Sequence, residues 1–234
     1  MSAVEPLELS NMGLEDAQRV GAKAAVLGAL LRRGLPVPPG FALADPAGWA
    51  DEVEANAALR SIHGRPFAEP SREPSEGWRW IVRSSATVED GTSASFAGQL
   101  ESIGGLATLA DVVAAVRRVG EPGERARAYA LSRGLELGAR IPVIVQRQIA
   151  AVRSGVLFTI DPQGGRRLCF ALDWGAAEEV TEGCAESRLL TFDPLDQVSP
   201  RCGDPLVARC LPRLVELAFA AIAALGAERP RDIE

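Results

Sequence analysis

The chain has 234 residues, 47% of them hydrophobic and 24% charged, with a net charge of −6. Those proportions are those of a soluble globular protein long enough for one large domain or two small ones with real cores. The negative balance, without any dense run of lysine or arginine, argues against a nucleic-acid or anionic-membrane surface and leaves small molecules or proteins as partners.

The amino terminus, MSAVEPLELS, is acidic where a secretion signal is basic and then greasy. The longest apolar stretch, around Leu214 to Ala227, is interrupted by Glu216 and is too short to span a bilayer, so a cytoplasmic protein is expected. Cys169, Cys184, Cys202 and Cys210 show no C-x-x-C pairing and no nearby histidine, which reads as reduced, mostly structural cysteine and not as a zinc or redox site.

In chain order, GLEDAQRVGAKAAVLGALLRRGLPVPPGFAL (residues 13–43) reads as a loop and an amphipathic helix over Gly21 to Arg33. A stop at Gly34 and a Pro-rich turn then lead into a short strand. This helix carries Lys23, the only lysine beside twenty-four arginines. At about 100° per residue, Val26, Leu27 and Leu30 fall within about 60° of Lys23. The lysine is thus expected along the apolar stripe, where it either snorkels out of the helix end or meets an anion such as a phosphate.

A short helix is expected around Ala47 to Ser61, followed by the solvated connector RPFAEPSREPSEG. WIVRS (Trp80 to Ser84) is a strand candidate that runs into SATVEDGTSASFAGQ. Residues 109–119 form a helix pattern with Val112, Val113, Val116 and Val119 on one side, and a further helix is expected over Glu124 to Leu135. IPVIVQRQI, GVLFTI and RRLCFALDW are three strand-like runs separated by short turn-forming segments and read as an antiparallel meander. A long helix over Pro205 to Leu225 precedes the terminal ERPRDIE. Strands grouped between helical blocks indicate an α+β architecture with two lobes.

The stretch that carries chemistry is IVRSSATVEDGTSASFAGQLESI, residues 81–103. An arginine at a strand end, followed by Ser, Thr, Ala and Gly, supplies a guanidinium fork, hydroxyls and backbone N–H groups able to cradle phosphate oxygens; a flexible surface loop has the same composition.

Arg83, Ser84, Ser85, Ala86, Thr87, Glu89, Asp90 and then Ala94, Ser95, Phe96, Ala97, Gly98 and Gln99 fit one pattern in register. It resembles the signature of the N-terminal ATP-binding domain of the family that includes pyruvate phosphate dikinase, phosphoenolpyruvate synthase and rifampicin phosphotransferase. Three other blocks are similar in order: the Gly-x-Lys helix with its Gly-x-Pro-Val-Pro-x-Gly-Phe turn, the segment VIVQRQIAAVRSGVLFTIDPQGG, and Asp-Ile-Glu at 232–234.

The resemblance spans nearly the whole chain and implies an ATP-grasp-like α+β fold, two lobes with an antiparallel sheet in each and nucleotide between them. The expected lobes are residues 1–140, with the lysine helix and the Arg/Ser/Thr-rich loop, and residues 141–234. ATP and Mg²⁺ are the implied cofactors. Lys23 and Arg83 would neutralise the triphosphate and the charge that spreads during transfer, as the catalytic pair. Gly98 would allow close backbone approach, Ser102 and Ile103 would line the nucleotide, Gln146 would offer its amide to adenine, and Glu234 would be a hard oxygen ligand for Mg²⁺.

The sequence also departs from the pattern. Glu178 matches the family's Gly-Leu-Gly-Glu segment, but Ala177 replaces its second glycine, and Arg231 replaces the Gln before Asp-Ile-Glu. The Leu-Gln-x-Arg strand that follows in the family, the phosphoryl-carrier domain and the pyruvate-binding barrel are not in this sequence. His63 lacks the carrier motif and reads as a surface or packing residue. The expected function is therefore a phosphotransferase module that binds Mg-ATP and passes a phosphoryl group to a histidine or substrate on a separate polypeptide. The alternative is a truncated or degenerate relative that binds nucleotide or a partner without turnover.

Overall fold

A computed structural model describes residues 6–49, 59, 79–86, 100–135, 137–160, 167–175, 188–192, 203–226 and 232–233. The chain divides into two compact units, Met1–Ile149 and Ala150–Glu234. All strand pairings among the described residues are antiparallel.

The first unit is built on a five-stranded sheet of order β1-β2-β5-β3-β4. Its strands are β1 (Leu7–Glu8), β2 (Gly40–Leu43), β3 (Arg79–Ser84), β4 (Ser102–Leu106) and β5 (Val143–Gln148). Alternation decides which side chains go where. Trp80, Val82 and Ser84 are buried while Arg79, Ile81 and Arg83 are half-buried, so β3 turns its two sets to opposite faces.

One face is covered by a helix, α3 (Leu109–Val119), whose Val112, Val113, Val116 and Val119 pack with Phe41, Leu43, Trp49, Trp80, Val82, Val143 and Val145. Each buried valine contributes roughly 1.5–3 kcal/mol. Thr108 starts this helix as a capping box, its hydroxyl accepting from Asp111 N–H at 3.1 Å while Asp111 accepts from Thr108 N–H at 3.1 Å.

The other face is covered by α2 (Ala22–Arg32), which follows the short α1 (Ala17–Val20). Ala24 and Val20 join Leu9, Met12, Ala42 and Ile144 in a second cluster there. The fully buried line of α2 is Ala24, Ala25 and Gly28, while Val26 and Leu30 are half-buried. That differs from the stripe expected from side-chain size, and the reason is steric. A Cβ on Gly28 would lie 2.7 Å from the Leu9 carbonyl oxygen, so small residues occupy the closest contact and the large ones flank it. Lys23 is half-buried at the border of this contact.

α2 ends where expected. Gly34 at φ +77° donates to the Leu31 carbonyl and Leu35 N–H to the Leu30 carbonyl, the paired bonds of a Schellman stop. α4 (Glu124–Ser132) ends the same way at Gly134, short of the expected Leu135.

The second unit holds a four-stranded sheet of order β8-β7-β6-β9, from β6 (Ser154–Ile160), β7 (Arg167–Gly175), β8 (Arg188–Phe192) and β9 (Asp232–Ile233). The helix α5 (Pro205–Leu225) packs Val207, Leu211 and Ala218 with Leu157, and Leu190 and Ile233 lie against that cluster. Pro205 occupies the first turn, where a missing N–H costs nothing, and Pro212 lies on the exposed side. Asp204 caps α5, accepting from Leu206 N–H at 2.9 Å and Val207 N–H at 3.3 Å while Arg153 Nε donates to it at 2.8 Å. Cys210 is an exposed free thiol on α5.

Two expectations are corrected. The three strand-like runs do not form one meander: β6 pairs with β7, but β5 inserts between β2 and β3 of the first sheet. The unit boundary consequently falls after Ile149 and not after residue 140. Runs of alternating residues specify strands, but partner choice is made by distant chain. The helix expected at Ala47 to Ser61 lies mostly outside the described residues, among which are the 3₁₀ turn Pro46–Gly48 and Leu59, which is helical and buried.

Candidate functional site

The face of the first sheet that α2 covers is also the face that bears the polar residues. Cross-strand partners share a face, and Arg83 pairs with Ile144 on one side and Ser102 on the other. Ile81 and Gly40 both pair with Gln146. Ala42 and Ile144 of this same face pack under α2. Arg83, Ser102 and Gln146 therefore lie on the side of the sheet occupied by the lysine helix. Ile103 pairs with Val82 and packs against the opposite, α3-facing core, so it is the backbone of Ile103 that remains available to a ligand on the Arg83 face.

The amino end of α2 is tied to the loop after Arg83. Ser85 Oγ accepts from Ala24 N–H at 3.0 Å, and Ser85 N–H donates to the Pro142 carbonyl at 2.8 Å. Gly21, at φ +84° and ψ 159°, comes so close that a Cβ there would lie 1.6 Å from the Ser85 carbonyl oxygen. The glycine two residues before Lys23 is thus required twice, by its left-handed backbone and by the missing side chain. Lys23, next to Ala24, and Arg83, two residues before Ser85, are brought to the two sides of one hydrogen bond. Both make further interactions within the protein.

Gln146 is 3% exposed and donates its Nε2 to the Pro38 carbonyl at 2.9 Å. A Cβ on Gly40 would lie 2.6 Å from Gln146 Cγ, so the Pro-Val-Pro-x-Gly turn both accepts the amide and leaves it room. With its nitrogen engaged in this way, the amide is oriented before any ligand arrives. Gln148, two residues on and on the same face, accepts from Gly105 N–H where the pairing of β4 with β3 shifts register and Gly105 has φ +73°.

Pro38, Gly40, Ser85 and Gln148 were not singled out by sequence for these contacts. Glycines at Gly21 and Gly40 were the available signal, since each marks a place where chain from another block comes close. Gly98 and the rest of residues 87–99 lie outside the described residues, as do Glu234, Glu178, Ala177, Arg231 and His63. The two residues before Glu234 form β9, whose Asp232 pairs with Phe158 and Ile233 with Leu157. Among the described residues no three His, Cys, Asp or Glu side chains gather as a metal site, and no helix is long and apolar enough to cross a membrane.

Comparison with known proteins finds a family and several relatives. Residues 51–198, more than half of the chain, match the family model of the pyruvate phosphate dikinase AMP/ATP-binding domain. A phosphoenolpyruvate synthase from Aeropyrum pernix is 30% identical over 208 residues, covering 70% of this chain and 25% of that protein. The phosphoenolpyruvate synthase of Escherichia coli is 30% identical over 224 residues, covering 74% and 28%. A rifampicin phosphotransferase from a Streptomyces species is 29% identical over 231 residues, covering 82% and 27%. The chain spans about a quarter of the length of these relatives. A match over more than half of the chain leads to one conclusion: the chain belongs to the pyruvate phosphate dikinase AMP/ATP-binding domain family.

Proposed function

We propose that this chain binds Mg-ATP against the Arg83 face of the first sheet and passes a phosphoryl group to a histidine or substrate on a separate polypeptide. The observation that carries the reading is the Ser85–Ala24 hydrogen bond, which brings the lysine helix and the Arg83 strand end together. Lys23 supplies a compact charge and Arg83 a planar fork to the phosphate oxygens. Such transfer needs little covalent chemistry from the protein, so positioning and charge neutralisation are the main contributions. Gln146 presents an amide already oriented by Pro38 to the adenine edge, and Ser102 and the Ile103 backbone border the nucleotide from β4. Gly98 lets backbone approach the phosphates, and Glu234 is the residue that would hold Mg²⁺, the ion supplying charge stabilisation at the transferring phosphoryl group. His63 has no carrier motif around it, so the acceptor is sought outside it.

Binding is tested by titrating Mg-ATP into the wild type, Lys23→Ala and Arg83→Ala by calorimetry. Each substitution should weaken binding at least tenfold, the scale of a lost charge-assisted hydrogen bond of about 1.5–3 kcal/mol. Unchanged affinity in both would remove the site. Transfer is tested separately by adding a carrier-histidine domain with β- or γ-labelled ATP and following label on the added domain; label that never leaves the nucleotide would reduce the proposal to binding alone.

A further inference from the structure

Ser85 joins the lysine helix to the Arg83 strand end, and it is a buried polar residue. Its exposure is 0%, and its hydroxyl is engaged by Ala24 N–H. Its N–H donates to the Pro142 carbonyl, its carbonyl fills the space a side chain on Gly21 would need, and its Oγ accepts from Ala24 N–H.

The last of these has a specific meaning for α2. A helix leaves its first N–H groups without intrahelical acceptors, and a side chain at the N-cap ordinarily supplies one to the third helical residue. The N-cap of α2 is Gly21, which has no side chain. Ala24 is the third helical residue, and its acceptor comes from Ser85, on the loop beyond β3. Lys23 is the second residue of that helix, so the same bond that caps the helix sets the position of Lys23 relative to Arg83.

We propose that Ser85 is a positioning residue: by capping α2 from the Arg83 strand, it holds Lys23 in register with Arg83 so that both cations meet one phosphate chain. This rests on the nucleotide reading above. A local cap on α2 would stabilise the helix equally well but would leave its distance from β3 free. A cap borrowed from the adjoining strand couples helix formation to cation spacing.

The single lysine provides the readout. Growth on [¹³Cε]-lysine labels Lys23 alone without altering its ammonium group, and the Lys23 Cε–H resonance is followed by NMR as Mg-ATP is added to wild type, Ser85→Ala and Val113→Ala. Val113 lies on the other face of the sheet, in the α3 core, so its truncation loosens the fold without touching the site. In the wild type the Lys23 resonance should move with Mg-ATP. Ser85→Ala should bind roughly fivefold more weakly, the factor expected for one lost cap, and show a reduced Lys23 displacement. Val113→Ala should melt earlier but keep wild-type affinity and displacement.

Full affinity and full displacement in Ser85→Ala would overturn the proposal, as would an equal loss in Val113→Ala, which would mark general softening. A wild-type resonance indifferent to Mg-ATP would remove the nucleotide reading itself and this proposal with it. If Ser85→Ala does not fold, Ser85→Cys, close in size and a much weaker acceptor, is judged by the same two criteria.

Discussion

Gly21 shows how much a single position can be asked to satisfy. Alanine there would need φ +84° and a Cβ 1.6 Å from the Ser85 carbonyl oxygen, so backbone strain and collision add. Gly21→Ala is expected to lower stability by about 1–3 kcal/mol or more in urea denaturation and to weaken Mg-ATP binding. A second expectation concerns charge shape. Lys23→Arg keeps the sign but replaces a compact ammonium with a planar fork on a half-buried helix turn, and calorimetry should show Mg-ATP binding at least tenfold weaker. Lys23, Arg83 and Gln146 are proposed from sequence because each lies in a recognisable block. Ser85, Pro38 and Gly40 could not be given their parts, because their function is a contact between blocks and no spacing within one block encodes it.

At the level of elements, local chemistry determined most boundaries. The pattern over residues 109–119 and the helix over Pro205 to Leu225 are found with the expected limits, because Thr108 and Asp204 cap them and the apolar faces are continuous. Where tertiary contact decides, sequence said less: the buried line of α2 runs through Ala and Gly, and β5 joins the first sheet while β6 and β7, which follow it in sequence, form the second. The cap at Asp204 makes a pH-dependent prediction. Hydrogen bonds from Arg153, then from Leu206 and Val207 N–H, hold its carboxyl below the ordinary value of 3.8 against the opposing effect of burial. A carboxyl lowered on folding adds stability above its unfolded pKa and loses it as pH falls through the folded one. Asp204→Asn should therefore melt earlier than wild type at pH 7, and the gap should narrow below about pH 4 in scanning calorimetry.

For the molecule as a whole, two units have separate cores, one on either face of the first sheet and one between α5 and the second sheet. Leu43→Ala and Leu211→Ala each remove a buried side chain and should cost about 2–5 kcal/mol. Hydrogen exchange should show the first accelerating amides of β2, β3 and β5 most, and the second those of β6 and α5. The strand order β1-β2-β5-β3-β4 has a further consequence for how the chain acquires its structure. β2 and β3 are joined only through β5, so a growing polypeptide that has released residues 1–140 carries two strand pairs with unfilled edges facing each other. Closure of the sheet waits for residues 143–148, which makes the arrival of one late hexapeptide the committing event in folding of the first unit, and makes the waiting edges the place where a chaperone, or a second unfinished chain, would attach.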